Sequence, residues 1–421
     1  MLVVDASRSF GVSTTMVVGA MAAAAGAAVY LYPEYFIGVR RGTLSQALAG
    51  LLERHAKHRR ARRPIRVYMD GCFDLTHFGH ANALRQAKAC GDELVVGLIP
   101  DAEIVRCKGP PVLREAERRA VVESIKWVDE VITDVPYDLN EAFTRELYTK
   151  HRIDYIVHGD DPCILPDGTD AYDAPKREGK FKLIKRTEGV STTDIVGRML
   201  VASGLGDGSG EVGGSVRKGG VAHFCTTSRR INQFSNGGKA VPAGARVVYV
   251  HGAFDMFHSG HIHLLRAARE LGDFVLVGVH EDAAVCGRRG AHHPILNVQE
   301  RSLGVMACKH VDEVIIGAPD VITKDLITTF NVSVVVAERE EADMEGEGGK
   351  ADPNAAAREM GIFREVKVDD TPAAKLSTAA IIRRIAENRK MFEVRNAKKG
   401  ASEAKYYDLK SSGTIELASE A

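Results

Sequence analysis

The chain has 421 residues, which is enough for two domains with hydrophobic cores of ordinary size. Lys and Arg together number 56, as do Asp and Glu, so the net charge of zero excludes a global electrostatic attraction to nucleic acid. The seven cysteines show no CxxC pair and no zinc spacing, which indicates reduced thiols in a cytosolic environment and no dedicated metal cluster.

Residues 1–39 differ in composition from the rest of the chain. No residue between Ser9 and Pro33 is charged, and residues 16–32 form an apolar run close to the about 20 residues that a bilayer-spanning helix needs. Residues 40–64 are rich in Lys and Arg, and positive charge on that flank favours a cytosolic location for the remainder of the chain. We therefore predict an N-terminal hydrophobic helix that anchors the protein in the mitochondrial outer membrane or the endoplasmic reticulum, with the catalytic domains in the cytosol. A cleaved targeting peptide is the alternative for the apolar run, and a solvated linker is the alternative to a lipid-bound amphipathic helix for the basic segment.

Residues 65–202 alternate between strand-like and helix-like segments. The predicted strands cover residues 67–69, 94–99, 131–132, 155–157 and 181–185. Helical patterns cover residues 78–90, 115–126, 143–151 and 192–201. This rhythm predicts a Rossmann-like, doubly wound parallel sheet whose ligands bind at the carboxyl ends of the strands.

A motif with two histidines directly follows the first predicted strand. It reads Asp70-Gly71-Cys72-Phe73-Asp74-Leu75-Thr76-His77-Phe78-Gly79-His80. Strand, Gly-bearing turn and helix is the arrangement in which backbone N–H groups receive phosphate, and two imidazoles there suit a phosphorus centre that gains negative charge. A near repeat occupies residues 251–261, so a purely structural explanation of the histidines is a poor one.

A second phosphate-binding pattern opens the last helix of this domain. It reads Arg186-Thr187-Glu188-Gly189-Val190-Ser191-Thr192-Thr193. Hydroxyl groups and N–H groups at a helix N-terminus, joined by an Arg, form a phosphate cradle, although Ser191 and Thr192 would also serve as ordinary helix caps.

The motif at residues 70–80 resembles the signature of the cytidylyltransferases, HxGH nucleotidyltransferases that join CTP to a phosphorylated alcohol. Two tandem copies in one chain are similar to the arrangement in members that use phosphoethanolamine. The resemblance implies transfer of CMP from CTP to phosphoethanolamine in phosphatidylethanolamine biosynthesis, by in-line attack on the α-phosphate without a covalent intermediate. It also implies a Mg²⁺ ion carried by the nucleotide.

The resemblance assigns roles to individual residues of the first domain. The implied catalytic residues are His77, His80, Lys108 and Arg186. Lys108 is expected in a loop that Gly109 and Pro110 make rigid, where a cation would neutralise the departing pyrophosphate. The implied CTP-binding residues are Gly71, Cys72, Phe73, Asp74, Gly79, Ser191, Thr192 and Thr193.

The predicted phosphoethanolamine-binding residues are Tyr137, Asp160 and Asp161. The two carboxylates follow the fourth predicted strand, and an amino alcohol with a positive charge requires an acid, although Asp also suits a simple turn. Tyr137 lies where choline-using relatives place an aromatic ring over the ammonium, and Cys163 replaces their second aromatic residue. One aromatic residue of the cage together with a carboxylate suits a primary ammonium that can donate hydrogen bonds, which favours phosphoethanolamine as the acceptor. Phosphocholine and glycerol 3-phosphate are the alternative acceptors. A catalytically silent, membrane-tethered nucleotide sensor is the alternative outside the enzyme class.

The second half of the chain repeats the first with fewer of its chemical groups. Residues 203–244 are rich in Gly and Ser and are predicted to be a flexible linker, and residues 245–395 a second, partly degenerate domain. Arg289 replaces Lys108, and Asp320 replaces Tyr137. The predicted second-domain nucleotide-binding residues are Ala253, Phe254, His258, Gly260, His261, Arg289, Ser377 and Thr378. This domain is expected to bind nucleotide weakly or to support the first.

Residues 396–421 are predicted to be a polar tail, either a strand or helix packed on the second domain or disordered. The oligomeric state is left open, with a homodimer as one expectation.

Overall fold

Two five-stranded parallel sheets, one in each half of the chain, form the framework of the computed structural model. The structure describes residues 63–160, 163, 170–202, 224–235, 240–338 and 352–411. The predicted hydrophobic helix, nearly all of the basic segment and Asp161 lie outside these residues. Within the described ranges, no helix is both long enough and apolar enough to cross a membrane.

The first sheet has the strand order β3-β2-β1-β4-β5. Its strands are β1 (Arg66–Gly71), β2 (Glu93–Leu98), β3 (Glu130–Ile132), β4 (Tyr155–Gly159) and β5 (Phe181–Ile184). Its helices are α1 (Phe78–Ala89), α2 (Asp101–Lys108), α3 (Glu115–Ser124), α4 (Glu141–Thr149), α5 (Asp173–Arg177) and α6 (Thr192–Ala202). The chain reverses its direction of winding between β1 and β4, and in such sheets the crevice at the carboxyl ends of those strands is the ligand site.

The second sheet has the same topology, in the order β10-β9-β6-β7-β8. Its strands are β6 (Val247–Gly252), β7 (Phe274–His280), β8 (Glu313–Ala318), β9 (Val332–Glu338) and β10 (Phe363–Val366). The helices of this half are α7 (Ser228–Phe234), α8 (Ser259–Arg269), α9 (Asp282–Arg289), α10 (Val298–Met306), α11 (Lys324–Thr329), α12 (Ala355–Glu359), α13 (Thr378–Glu387) and α14 (Arg389–Ser411). The prediction of tandem Rossmann-like domains is confirmed.

The two domains meet through corresponding elements. Ile125 and Cys308 form an isolated antiparallel bridge. They are equivalent positions, because each lies seven residues after the arginine of a repeated Glu-Arg sequence, Glu117-Arg118 in the first domain and Glu300-Arg301 in the second. The amide of Lys126 donates to the carbonyl of Ala307 at 2.9 Å, and that of Lys309 donates to Ser124 at 2.7 Å. Because a segment pairs with its own repeat, the domains are related by an approximate twofold axis.

Two ion pairs cross this boundary in opposite directions. Arg198 on α6 contacts Glu300 of the second domain at 2.9 Å, and Arg384 on α13 contacts Glu117 of the first at 2.7 Å. Both carboxylates are buried. Apolar side chains from both domains pack into one hydrophobic cluster around these pairs, among them Leu113, Ile195, Leu296 and Ile381. The domains therefore share a core and do not merely touch.

The structure adds to the predictions about two segments outside the sheets. The linker was predicted to be flexible, but α7 lies within it, and Phe234 is fully buried with its ring 5.2 Å from that of Trp127. This segment was not predicted because its few apolar residues lie within a stretch that is otherwise rich in Gly and Ser. The predicted polar tail begins within α14, and the side chains of Arg395 and Asn396 on this helix contact the first domain. Composition alone does not identify a packing partner.

Candidate active site

The loop between β1 and α1 is held in one shape by buried polar side chains. Phe73 and Leu75 adopt left-handed backbone conformations, with φ of 46° and 49°, which non-glycine residues rarely adopt. The carboxylate of Asp74 accepts hydrogen bonds from the amides of Val112 and Leu113, each at 3.0 Å. Asp74 was predicted to bind CTP, and the structure directs its carboxylate to the backbone of the following loop.

A buried arginine, Arg118, hydrogen-bonds to the backbone of the same loop. Arg118 is fully buried and donates to the carbonyl of Cys72 at 2.6 Å and to Asp101 at 2.6 Å. Arg301 makes the corresponding contacts in the second domain, to the carbonyl of Ala253 and to Asp282. A fixed loop needs little reorganisation when a ligand binds, which is the condition for electrostatic stabilisation of a transition state.

His77 and His80 lie side by side at the N-terminus of α1. Their ring centroids are 4.0 Å apart, with an angle of 36° between the planes. His77 is the N-cap of the helix, and its Nδ1 accepts a hydrogen bond from the Gly79 amide at 3.1 Å. Because Nδ1 is the acceptor, a neutral His77 carries its proton on Nε2. That N–H is the group that can donate to a phosphate oxygen.

Both histidines are neutral in the free protein at neutral pH. Burial, together with the positive charges of Lys399, Arg186 and Lys108, lowers the pKa of His80 to about 3. Burial likewise holds the pKa of His77 well below its usual range, aided by His80 and by the same Lys399 and Arg186. The pair therefore presents hydrogen-bond donors to an incoming anion, and a developing negative charge would favour its protonation.

The glycine between the two histidines is required by space. A Cβ atom on Gly79 would lie 2.8 Å from Cε1 of His77 and 2.9 Å from Val190 Cγ1. In the second domain, a Cβ on Gly260 would lie 2.2 Å from the carbonyl oxygen of Leu376. A side chain at this position would displace the first histidine ring or the segment that carries the hydroxyl groups.

The predicted phosphate cradle lies opposite the histidines, at the start of α6. The Ser191 hydroxyl accepts from the Asp194 amide at 3.1 Å, so it caps the helix. The Thr192 hydroxyl donates to the carbonyl of Asp74 at 3.3 Å, which joins the cradle to the histidine loop. The Thr192 and Thr193 amides belong to the first helical turn, whose N–H groups have no partner within the helix. The positive charge of Arg186 acts on both histidines, so these groups surround one anion-binding space.

Lys108 reaches this space from the end of a helix. It was predicted to lie in a rigid loop, and this is wrong, because it is the last residue of α2 and Gly109, with φ of 86°, ends the helix. A glycine that follows a basic residue is a common helix stop, and this signal could have revealed α2. The Nζ atom of Lys108 lies 5.2 Å from the centre of the Tyr137 ring and 3.9 Å from Sγ of Cys72.

The predicted acceptor residues are only partly brought together. Tyr137 lies beside Lys108, and Cys163 is close enough to affect the pKa of both. Asp160 lies nearby but accepts a hydrogen bond from the Arg186 amide at 2.9 Å, so part of its role is to join β4 to the segment after β5. Asp161 lies outside the described residues.

Sequence reasoning missed the pairing of Asp70 with Tyr172, two buried residues that meet at the carboxyl end of β1. The Tyr172 hydroxyl donates to Oδ1 of Asp70 at 2.7 Å. The buried Tyr68 hydroxyl lies beside the same carboxylate, although neither it nor Oδ2 has a partner in good hydrogen-bonding geometry. Burial raises the pKa of the Asp70 carboxyl, although the Tyr172 hydrogen bond opposes this. The available signal was an acid at the carboxyl end of the central strand, where a doubly wound sheet places its ligand.

The second domain repeats the histidine pair, the basic residue and the hydroxyl groups of the first. The rings of His258 and His261 are stacked with centroids 3.8 Å apart. Arg289 ends α9 as Lys108 ends α2, and burial together with the charge of Arg289 lowers the pKa of His258 to about 3. Ser377 caps α13 through the Ala380 amide at 3.2 Å, and Thr378 donates to the Asp255 carbonyl at 2.9 Å.

The surroundings of Asp70 are not repeated in the second domain. His251 takes the position of Asp70, and its Nδ1 lies 2.9 Å from Nε2 of His280. Its Nε2 lies 3.0 Å from Oδ1 of Asn354. Asp320, which replaces Tyr137 in the sequence, pairs with Arg288 at 2.8 Å. No group of three or more potential metal-ligating side chains occurs in the part of the chain that the structure describes.

Comparison with known proteins agrees with the internal repeat. The cytidylyltransferase-like family matches residues 68–198 and again residues 249–384. An ethanolamine-phosphate cytidylyltransferase of Arabidopsis thaliana is 52% identical over 84% of this chain and 87% of its own length. The protein of the same name from Dictyostelium discoideum is 45% identical over 82% of this chain and 98% of its own. Choline-phosphate cytidylyltransferase 2 of Arabidopsis thaliana is 46% identical, but over only 33% of this chain. With two cytidylyltransferase-like domains and a match along most of its length, the chain belongs to the ethanolamine-phosphate cytidylyltransferase family.

Proposed function

We propose that the protein transfers CMP from CTP to phosphoethanolamine, which gives CDP-ethanolamine and pyrophosphate. The names of the relatives that match most of the chain support this reaction. The observation that carries the choice of acceptor is the buried carboxylate of Asp70 at the carboxyl end of β1, whose neighbours include the neutral hydroxyl groups of Tyr172 and Tyr68. A buried carboxylate oxygen of this kind is stabilised by an ammonium group that donates to it.

The reaction needs no protein nucleophile. A phosphate oxygen of phosphoethanolamine attacks the α-phosphorus of CTP in line, a new P–O bond forms, and the bond to the bridging oxygen of the β-phosphate breaks. His77 and His80 donate from Nε2 to the α-phosphate as charge accumulates there. Lys108 and Arg186 neutralise the pyrophosphate that leaves. The first-turn amides of α6 hold the phosphates at the cradle.

The acceptor pocket distinguishes a primary from a quaternary ammonium. Asp70 Oδ2 can accept an N–H bond from ethanolamine, whereas choline has no N–H to donate. Tyr137 and Tyr172 add aromatic surface for the short carbon chain. In the second domain His251, His280 and Asn354 contact one another, and the nearby Asp320 pairs with Arg288, so no carboxylate takes the place of Asp70. Catalysis is therefore assigned to the first domain, and weak nucleotide binding or support of the first domain to the second.

Mg²⁺ enters this scheme as an ion carried by the nucleotide, where it would screen the charge of the phosphates. We assign the predicted membrane anchor to residues 1–39, with the domains facing the cytosol. Removal of residues 1–60 should release the protein from the membrane fraction without loss of turnover, and retention on the membrane would contradict this assignment. Dimerisation stays a prediction, which sedimentation equilibrium tests.

The proposed reaction is tested by pyrophosphate release with CTP and Mg²⁺, with phosphoethanolamine and phosphocholine compared as acceptors. Strong preference for phosphoethanolamine is expected. Asp70→Asn should raise the KM for phosphoethanolamine roughly 10- to 100-fold, because a hydrogen bond to a charged group is lost, and leave the KM for CTP unchanged. Asp134→Asn, at an exposed position of the same domain, is the matched control. Absence of turnover, or equal use of phosphocholine, would overturn the proposal.

A further inference from the structure

Helix α14 extends from the second domain across the nucleotide site of the first. Phe392, near its start, is buried in the shared hydrophobic cluster. Arg395 donates to the carbonyl of Pro110 at 2.8 Å and lies 3.4 Å from Oδ2 of Asp74. Asn396 donates to the carbonyl of Thr193 at 3.3 Å. The helix thus touches the histidine loop, the loop after Lys108 and the phosphate cradle.

Lys399 lies one helical turn beyond Arg395, on the same face of α14. Its charge acts on both His77 and His80. Among the cations that lower the pKa of His80, Lys399 has the largest effect, ahead of Arg186 and Lys108. Three positive charges therefore converge on one pair of neutral histidines. Like charges gathered in this way repel one another, and a polyanion between them relieves the repulsion.

We propose that Lys399 binds the β- and γ-phosphates of CTP, so that the C-terminal helix of the second domain completes the nucleotide site of the first. The assignment rests on the proposed function for the identity of the nucleotide. Arg395 is a positioning residue in this arrangement. It ties α14 to Asp74 and to the loop after Lys108, and so sets where Lys399 can reach.

The test compares the binding of CTP and CMP to the full chain by calorimetry, without acceptor. Lys399→Gln should weaken CTP binding roughly tenfold, since a charge-assisted contact to phosphate is lost, and leave CMP binding unchanged because CMP lacks the outer phosphates. Lys399→Arg should restore most of the affinity. In turnover, Lys399→Gln should raise the KM for CTP and leave the KM for phosphoethanolamine as it was.

The control is Lys390→Gln, which removes the same charge from an exposed position on the opposite face of α14. Unchanged CTP affinity in Lys399→Gln would overturn the proposal. So would an equal loss for CTP and CMP, or an equal loss in Lys390→Gln, because each indicates a general role of the helix. Failure of the wild-type protein to use phosphoethanolamine would instead count against the proposed reaction, since the binding measurement needs no acceptor.

Discussion

Arg384→Gln should destabilise the first domain although the substitution lies in the second. Both terminal nitrogens of Arg384 donate to the Glu117 carboxylate at 2.7 Å, and Glu117 is only 2% exposed. Removal of one partner of a buried ion pair costs about 3–5 kcal/mol because the other charge stays buried and unpaired. The Arg384 side chain is 28% exposed, so water screens part of the interaction. We therefore expect the free energy of unfolding to fall by about 2–3 kcal/mol.

Equilibrium unfolding in urea measures this cost. Arg383→Gln removes a charge from the neighbouring, exposed position and should change the free energy of unfolding by less than about 0.5 kcal/mol. Adding Glu117→Gln to Arg384→Gln should recover part of the loss, since the unpaired charge is then absent. If Arg384→Gln costs no more than Arg383→Gln, the reasoning about the domain interface is refuted.

Three further predictions concern the histidines. His77→Ala should lower kcat about 10²- to 10³-fold, as expected for the loss of a donor to the transition state, whereas His258→Ala should lower it less than about tenfold; equal losses would contradict catalysis in the first domain alone. Gly79→Ala should lower kcat about 10²-fold with unchanged helical circular dichroism, because its Cβ displaces the His77 ring, and normal activity would show that the ring can move freely. Stability should fall as the pH drops below about 6.5. The unfolded chain then binds protons that His80 and His258, with pKa values of about 3, do not, at up to about 1.4 kcal/mol per pH unit for each histidine. Urea midpoints measured from pH 7.5 to 5.5 test this, and a flat profile would count against burial of the rings.

The sheet and the histidine site were predictable because their signals are local. Apolar runs such as residues 94–98 specify buried parallel strands, and the HxGH spacing places two rings on one helical turn. The same motif recurs in the second half of the chain, and this recurrence distinguished His77 from an ordinary surface histidine. Arg289 was correctly matched to Lys108, since both end a helix before a glycine with positive φ.

The remaining features depend on partners that are distant in the chain. Asp70 and Tyr172 are 102 residues apart, and nothing local shows that these two side chains meet. Phe234 is one apolar residue in a polar segment, and its burial depends on a cleft that both domains form. The role of α14 depends on Arg395 meeting Asp74, which is 321 residues away. Sequence patterns report which face of an element is apolar, but they do not report which surface covers it.

The ion pairs Arg198–Glu300 and Arg384–Glu117 limit which residues of a duplicated domain can change. Glu300, Arg384 and Arg301 in the second copy match residues of the first that hold the halves together or support the loop. The position of Asp70, by contrast, has become His251 and lies in a closed network. A change at the position of Asp70 leaves the contacts between the halves in place, whereas a change at the shared boundary would remove contacts on which both halves depend. Each half is in this sense the folding partner of the other, and neither should be obtainable as a stable fragment when expressed alone.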